Sequence, residues 1–355
     1  MKNKKRLIVV LVIVLVCCAA GIFAGTKILF SPAGTSDKEI EVTIPNGVGA
    51  SAIAEILNEN GIVKSTTGFK LYSKLNGGSD YKAGTYNFRA SMTFDEISEV
   101  LKKGLSNGVP FAYIEGEHFR WQAEKIAATT DNTEEDVFRV VKDKKYLDSL
   151  INKYWFITDD IKNSDIYYPL EGYLFPETYL LPDKSASVEK IFEMMLDHMD
   201  SVLSEYKDEI EKSRYGVHDI LTIASVIEKE SLNEAQRKGV SGVIYNRLDA
   251  DMSLGSDVTT YYAAKADMGE RDLYQSEINA ENPYNTRGPN MEGKLPAGPI
   301  CSVSRSSIEA ALEPEKSDYY YFVADKNGEV YFAKDLDEHH KIIAELKEKG
   351  LWFKY

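Results

Sequence analysis

The sequence predicts an α+β protein in three parts: one N-terminal transmembrane helix, a small α+β domain and a larger mixed α/β domain. Three observations carry this. Leu7 to Thr26 contains no charged residue and follows the basic stretch Met1-Lys2-Asn3-Lys4-Lys5-Arg6. Residues 40–105 read as short strands and helices in the order β-α-α-β-α. Residues 106–355 hold an apolar helix that ends in two carboxylates, followed by Gly/Pro-rich polar loops.

An apolar run of about 20 residues is long enough to cross a bilayer core of ~30 Å as a helix. Lys2, Lys4, Lys5 and Arg6 keep the tail 1–6 in the cytoplasm, so 7–29 becomes a single-pass anchor in the cell membrane and the rest is exported. A cleaved signal peptide is the rival, with small residues between Ala20 and Gly25, but its apolar core would be shorter. A lipoprotein would need small residues beside its cysteine, whereas Leu15, Val16 and Cys17 precede Cys18. Cys301 is alone in the exported part and is expected to be a small core residue.

The remaining chain is too long for one compact core, which implies two or more domains. Residues 30–39 read as a polar linker. In 40–105, Glu41–Ile44 alternates like a strand, and Ala50–Asn60 and Gly68–Leu75 read as helices. Tyr81–Phe88 is a second strand. Thr93 with Glu96 forms a capping box for a helix that stops at Gly104.

Residues 105–215 are largely helical. Ala112–Gly116 resembles a strand leading to a helix near Trp121. Leu170–Tyr179 is aromatic-rich and non-helical, so Tyr173, Phe175 and Tyr179 either line a saccharide groove or fill a core. Further on, a helix from near Glu234 ends in Tyr245-Asn246-Arg247-Leu248. Ser304 caps the helix to Leu312, and Tyr319–Ala324 and Glu329–Ala333 form a hairpin across Asp325-Lys326-Asn327-Gly328.

The net charge of −14 argues against nucleic acid and leaves neutral sugars open as partners. The five histidines show no metal spacing, and no metal or cofactor is expected. His339 and His340 are adjacent, so their side chains diverge on a helix.

The chemistry concentrates at 219–230. Ile220, Ile223 and Ile227 share one helical face with Glu230, while Glu228 aligns with Leu221, Ala224 and Ser225. A carboxyl on an apolar face resists ionisation, and a carboxyl still protonated near neutral pH suits a general acid. A solvated pair of charges at a helix end is the plainer reading. Ser225, Asn246, Asp257, Tyr284 and Asn285 supply hydroxyl and amide groups of the kind that orient a hydroxyl-rich ligand, or merely cap turns.

Ala224-Ser225-Val226-Ile227-Glu228-Lys229-Glu230 closely resembles the A-S-x-[IV]-E-K-E signature of the MltG/YceG family of endolytic murein transglycosylases. Leu170–Tyr179, Tyr245–Leu248, Ser256-Asp257, Pro283–Thr286, Leu295–Ile300 and Tyr320–Asp325 match its other marks in order. Ser231 stands where many members have Thr, and Glu177 where many have Asp. The resemblance makes 40–105 a LysM-like domain and 106–355 a YceG-like catalytic domain. It implies a membrane-anchored enzyme that cuts nascent peptidoglycan glycan strands internally, without water, leaving 1,6-anhydro ends and terminating strand elongation. Peptidoglycan synthases and the elongation machinery are the implied protein partners. Glu230, the second carboxylate of the signature, takes the catalytic role; Ser225, Glu228, Asn246, Asp257, Tyr284 and Asn285 are supporting candidates. Two alternatives stay open: a muramidase, with Glu228, Glu171 or Asp257 activating water, and a non-enzymatic wall scaffold. Glu177 is a further candidate second carboxylate.

Overall fold

A computed structural model describes residues 30–45, 47–104, 108–231 and 233–352. The expected tail 1–6 and anchor 7–29, with Cys17 and Cys18, lie outside the described residues. Among the described residues, no helix is long and apolar enough to cross a membrane. The chain divides into two compact units, one ending at Val109 and the other beginning at Pro110.

In the first unit, strand β1 (Glu39–Ile44) pairs antiparallel with β2 (Gly84–Arg89), placing Val42 opposite Tyr86. Alternation buries Val42, Ile44, Tyr86 and Phe88 on one face. Between the strands lie helices α1 (Ala50–Glu59) and α2 (Thr66–Leu75), the latter capped by the Ser65 side chain, which accepts from the Gly68 N–H. Helix α3 (Phe94–Lys103) starts at the expected capping box, with Thr93 and Glu96 each bonding the other's backbone, and ends at Gly104 with φ +73°. Ile53, Leu57, Phe69, Phe88, Ile97 and Leu101 meet in one core. The stretch expected as a linker is not free chain. Phe30 packs edge-on against Tyr72 and Phe94, and the Gly34 and Ser36 backbones pair with Ala90 and Ser91. A large apolar ring at one end and backbone pairing further along outweigh the polar composition of 31–39.

Strand β3 (Val109–Ala112), whose first residue is the last of the first unit, pairs with β4 (Thr178–Leu181) of the second. Helices α4 (Phe119–Thr129), α5 (Glu134–Val141), α6 (Lys144–Lys153), α7 (Val188–Ser204) and α8 (Lys207–Lys212) form the expected helical region. Helix α9 (Val217–Glu230) runs through the core: every residue from Ile220 to Glu228 is buried. It packs most closely on α13 (Arg305–Leu312), with α10 (Arg237–Asp249) and α11 (Asp257–Ala264) also against it. A short helix, α12 (Gln275–Ile278), follows α11.

Strands β5 (Tyr321–Ala324) and β6 (Val330–Ala333) make the expected hairpin, with Phe322 opposite Phe332, and α14 (Leu336–Glu348) closes the chain. Two glycines of α10 let the following chain come close. A Cβ on Gly239 would sit 2.5 Å from the Phe332 ring, and one on Gly242 would sit 2.3 Å from the Glu315 carbonyl oxygen.

Candidate active site

Glu230 is the last residue of α9. The Ser231 N–H still bonds the Ile227 carbonyl, so the helix ends cleanly and the Glu230 side chain leaves from a fixed backbone. Ser256, the residue before α11, does not cap its own helix; its hydroxyl donates instead to Glu230 Oε1 at 2.5 Å. Ser256 is itself braced. Its N–H donates to Thr286 Oγ1 at 3.0 Å, and its carbonyl accepts from Thr259 Oγ1 at 2.8 Å. Thr259 and Thr286 share a hydroxyl bond of 2.7 Å. The Glu230 carboxyl therefore lies at the α11 N-terminus, held by one rigid hydroxyl.

The carboxyl faces a cavity of ≈ 330 Å³ lined on one side by Val226, Val243, Ile244 and Leu254. Arg247, Asp257, Arg287, Tyr321, Phe322, His339 and Trp352 also line it. Arg247 is fixed by its Nε to the Tyr320 carbonyl at 2.6 Å, its Nη1 to the Leu254 carbonyl at 2.9 Å, and the Tyr321 ring at 4.8 Å. Arg287 Nε pairs with Asp257 Oδ1 at 2.6 Å.

Burial pushes the Glu230 carboxyl above its ordinary range. The Ser256 hydrogen bond opposes that rise, the Asp257 charge adds to it, and Arg287 and Arg247 oppose it; the net direction is upward.

Glu228 has a different environment. It is 8% exposed and pairs with Arg237 Nη2 at 2.8 Å. It also accepts from the Ser304 N–H at 2.9 Å, the Ser307 hydroxyl at 2.7 Å and the Ser304 hydroxyl. Arg237 in turn reaches the hydroxyls of Ser304 and Ser306. This saturated network locks α9 to α13 and leaves Glu228 no vacancy for a ligand. The isoleucine-face argument does not separate the two acids, because α9 is buried on both faces; their partners do.

The other supporting candidates divide. Asp257 reaches the cavity. Ser225 is buried, donates to the Thr222 carbonyl at 2.7 Å and accepts from the Ile300 N–H at 3.0 Å, so it pins the loop at Ile300 to α9 rather than touching the cavity. Asn246 donates to the Ser317 and Tyr319 carbonyls at 3.0 and 2.8 Å, holding the approach to β5. Asn285 is buried: its Oδ1 accepts from Thr260 Oγ1 at 2.8 Å and its Nδ2 donates to the Ala280 carbonyl at 2.8 Å. Tyr284 is fully buried, its ring 4.7 Å from Tyr167 and 4.8 Å from Tyr262. These four build the site's frame and do not line its surface.

The aromatic segment is core as well. Tyr173, Phe175 and Tyr179 are each at most 8% exposed, because residues 170–176 thread beneath the surface, so they do not line a groove. Glu171 is 2% exposed, with both oxygens toward the Phe119 N–H at 2.9 and 3.0 Å and one accepting from Tyr262 Oη at 3.0 Å. Burial raises its carboxyl to about 8. Glu177 is exposed and bonds the Thr178 N–H. Neither lines the Glu230 cavity. Cys301 is buried, as expected of a small core residue.

Residue-by-residue reading missed Ser256 and Arg287, although both stand in or beside the quoted loop motifs. It also passed over His339 and Trp352. No local signal marks those two, which reach the cavity only because α14 folds back beside β5.

The fold and cavity define a mixed α+β protein in which a carboxyl at the end of the buried helix α9 faces an enclosed space. The chain belongs to the YceG-like family, whose model matches residues 42–345. It is 38% identical over 325 residues to the endolytic murein transglycosylase of Bacillus subtilis (strain 168), covering 90% of this chain and 89% of that one. It is 33% identical over 332 residues to the endolytic murein transglycosylase of Streptococcus pneumoniae (strain D39), covering 87% of this chain but 59% of the relative. A crystal structure of a YceG-like protein from Listeria monocytogenes aligns with a TM-score of 0.62 at 36% identity, covering 86% of this chain and 100% of that one.

Proposed function

We propose that this chain is an endolytic lytic transglycosylase. It cleaves the β-1,4 bond between N-acetylmuramic acid and N-acetylglucosamine within peptidoglycan strands. The single observation that carries the reading is Glu230, raised by burial, held by one hydroxyl and facing a cavity. Relatives named for the same activity support it.

In the proposed reaction Glu230, protonated, gives its proton to the glycosidic oxygen as the C1–O bond breaks. The neighbouring acetamido group stabilises the charge at C1. Glu230, now a carboxylate, takes the proton of the 6-hydroxyl, whose oxygen bonds to C1. One bond breaks, one forms, and the carboxyl ends protonated, so no water enters. Ser256 occupies Oε1, which reserves Oε2 for the travelling proton. Arg247 and Arg287 steady the carboxylate in the second half of the cycle. A hydrolase of the paired-carboxylate kind would need a second acid poised for water. Glu228 is committed to Arg237, Glu171 does not line the cavity, and Asp257 is paired with Arg287.

The reading extends to location. The charge-free run behind four basic residues supports a cell-membrane anchor at 7–29 with the catalytic unit outside, working on nascent strands beside their synthases. The β-α-α-β-α order of the first unit supports a LysM-like module.

The deciding experiment is mass analysis of products from defined glycan strands in ¹⁸O water. Unlabelled 1,6-anhydromuramyl ends are expected. Reducing ends that carry ¹⁸O would overturn the transglycosylase reading in favour of hydrolysis.

A further inference from the structure

The acid cavity is lined by two guanidiniums that keep donors in reserve. Arg247, on α10, is half-buried, and among the described residues its bonds go to carbonyls alone. Nε donates to Tyr320 at 2.6 Å, and Nη1 donates to Ser253 and Leu254 at 3.1 and 2.9 Å. The Tyr321 ring lies 4.8 Å from the guanidinium carbon. These contacts fix the plane of the fork and leave Nη2 without a partner among the described residues. Arg287 commits Nε to Asp257 at 2.6 Å, and neither of its Nη groups has a bond among the described residues.

A charge drawn out of water needs an opposite charge or strong acceptors to offset its desolvation. For Glu228 the fold supplies that partner in Arg237; for Arg247 it supplies neutral carbonyls. The two guanidiniums act on Glu230 from a distance, since its bond goes to Ser256. With Glu230 protonated, Arg247 and Arg287 outweigh Asp257, so the armed cavity is positive. Burial holds His339 below its ordinary range, so it stays neutral. A positive cavity with open guanidinium edges suits a carboxylate or another strong oxygen acceptor.

The two sugars of the strand differ in one group. The muramyl ring carries a lactyl ether on O3 that ends in a carboxyl, where the glucosaminyl ring has a hydroxyl. We propose that Arg247 and Arg287 read the 3-O-lactyl group of the muramyl ring and so decide which of the two alternating bonds is cut. Arg247 Nη2 and the Arg287 Nη groups donate to its carboxylate oxygens, or to its carbonyl oxygen where peptide is attached. A glucosaminyl ring in the same place leaves both guanidiniums unanswered, and a site built for a polar group rejects the analogue that lacks it. The inference rests on the glycan-cleavage reading, which is what brings the muramyl C1 and 6-hydroxyl, and with them the lactyl group of that ring, to Glu230.

The test uses the full chain carrying Glu230→Gln and two ligands of equal ring number, peptide-free glycan strands and chitin oligomers, which differ in the lactyl groups. Calorimetry is expected to show the muramyl strands bound about tenfold or more tightly, the gain of a charge-assisted hydrogen bond. Adding Arg287→Gln, at a side chain 39% exposed, should cut that preference to about threefold or less. Adding Arg247→Lys, which keeps the charge but loses the fork, should do the same, with chitin affinity falling much less. A preference unchanged in both variants overturns the proposal; if Arg247→Lys does not fold, Arg287→Gln decides alone. An equal loss of affinity for the two ligands also overturns it, because the arginines would then be wall and not readers. Wild-type cleavage of the same strands tests the acid separately. If none is cleaved while the preference still depends on the arginines, the cleavage reading falls and the recognition stands; if strands are cleaved and no preference exists, the reverse holds.

Discussion

Glu228 and Glu230 stand two residues apart on one helix, yet their surroundings differ in kind. Glu228 has a guanidinium and three further donors, all from protein. Glu230 has one hydroxyl donor and a cavity. Burial alone does not make a reactive acid. A carboxylate whose lone pairs are all answered by the fold is structural, because it holds a buried Arg237 and the start of α13 in place. A carboxyl with one fixed donor and one free oxygen can exchange a proton at little structural cost.

The comparison breaks first at Glu230. Glu230→Gln is expected to lower strand cleavage by about 10²–10⁴-fold, the usual contribution of a positioned acid, with an unchanged circular dichroism spectrum. Cleavage at wild-type rate would remove Glu230 from the mechanism. The reciprocal change, Glu228→Ala, leaves Arg237 buried without its partner and should cost about 3–5 kcal/mol in urea unfolding. A loss below about 1 kcal/mol would mean that the network is not what locks α9 to α13.

Glu171 sharpens the contrast from a third side, since it is buried with polar partners but no cation paired to it. Its folded pKa, about 8, lies above the unfolded value near 4.3. The folded state therefore binds the extra proton. The stability this contributes is complete below about pH 4 and is lost as pH rises through 8. Wild-type stability should fall by roughly 1 kcal/mol per pH unit across that window. Glu171→Gln should flatten the slope, as read from urea midpoints at pH 5 and pH 8; an unchanged slope would remove Glu171 as its source.

The smallest expected effect belongs to Ser256→Ala. A hydrogen bond to a charged group contributes about 1.5–3 kcal/mol, so kcat/KM should fall by roughly 10- to 100-fold. The Ser256 bond lowers the Glu230 pKa, so its loss should carry the alkaline limb of the pH–rate profile to higher pH. A limb that stays put or moves to lower pH would show that Ser256 does not tune the acid.

Much of the frame was legible in the sequence. The Thr93–Glu96 box, the Ser304 cap, the hairpin turn at 325–328 and the helix ending in two acids all stand as expected. Aromatic content left two readings open at Tyr173, Phe175 and Tyr179, because a stretch that suits a sugar groove suits a core equally well, and the core reading is the one that holds. Ser225, Tyr284 and Asn285 had the right chemistry for a ligand but spend it on backbone carbonyls, amides and packing.

What the sequence by itself determined is what depends on neighbours within a few residues: caps, turns, helix ends and the presence of two carboxylates at the end of α9. The signature resemblance singled out Glu230; tertiary structure decided the partners that set the two acids apart. Glu228 meets Arg237 nine positions away and Ser304 76 away, while Glu230 meets Ser256 26 away. The physical reason is that a carboxyl's proton affinity is set by burial and by donors within a few ångströms, and those donors come from distant segments that only the packed core brings together.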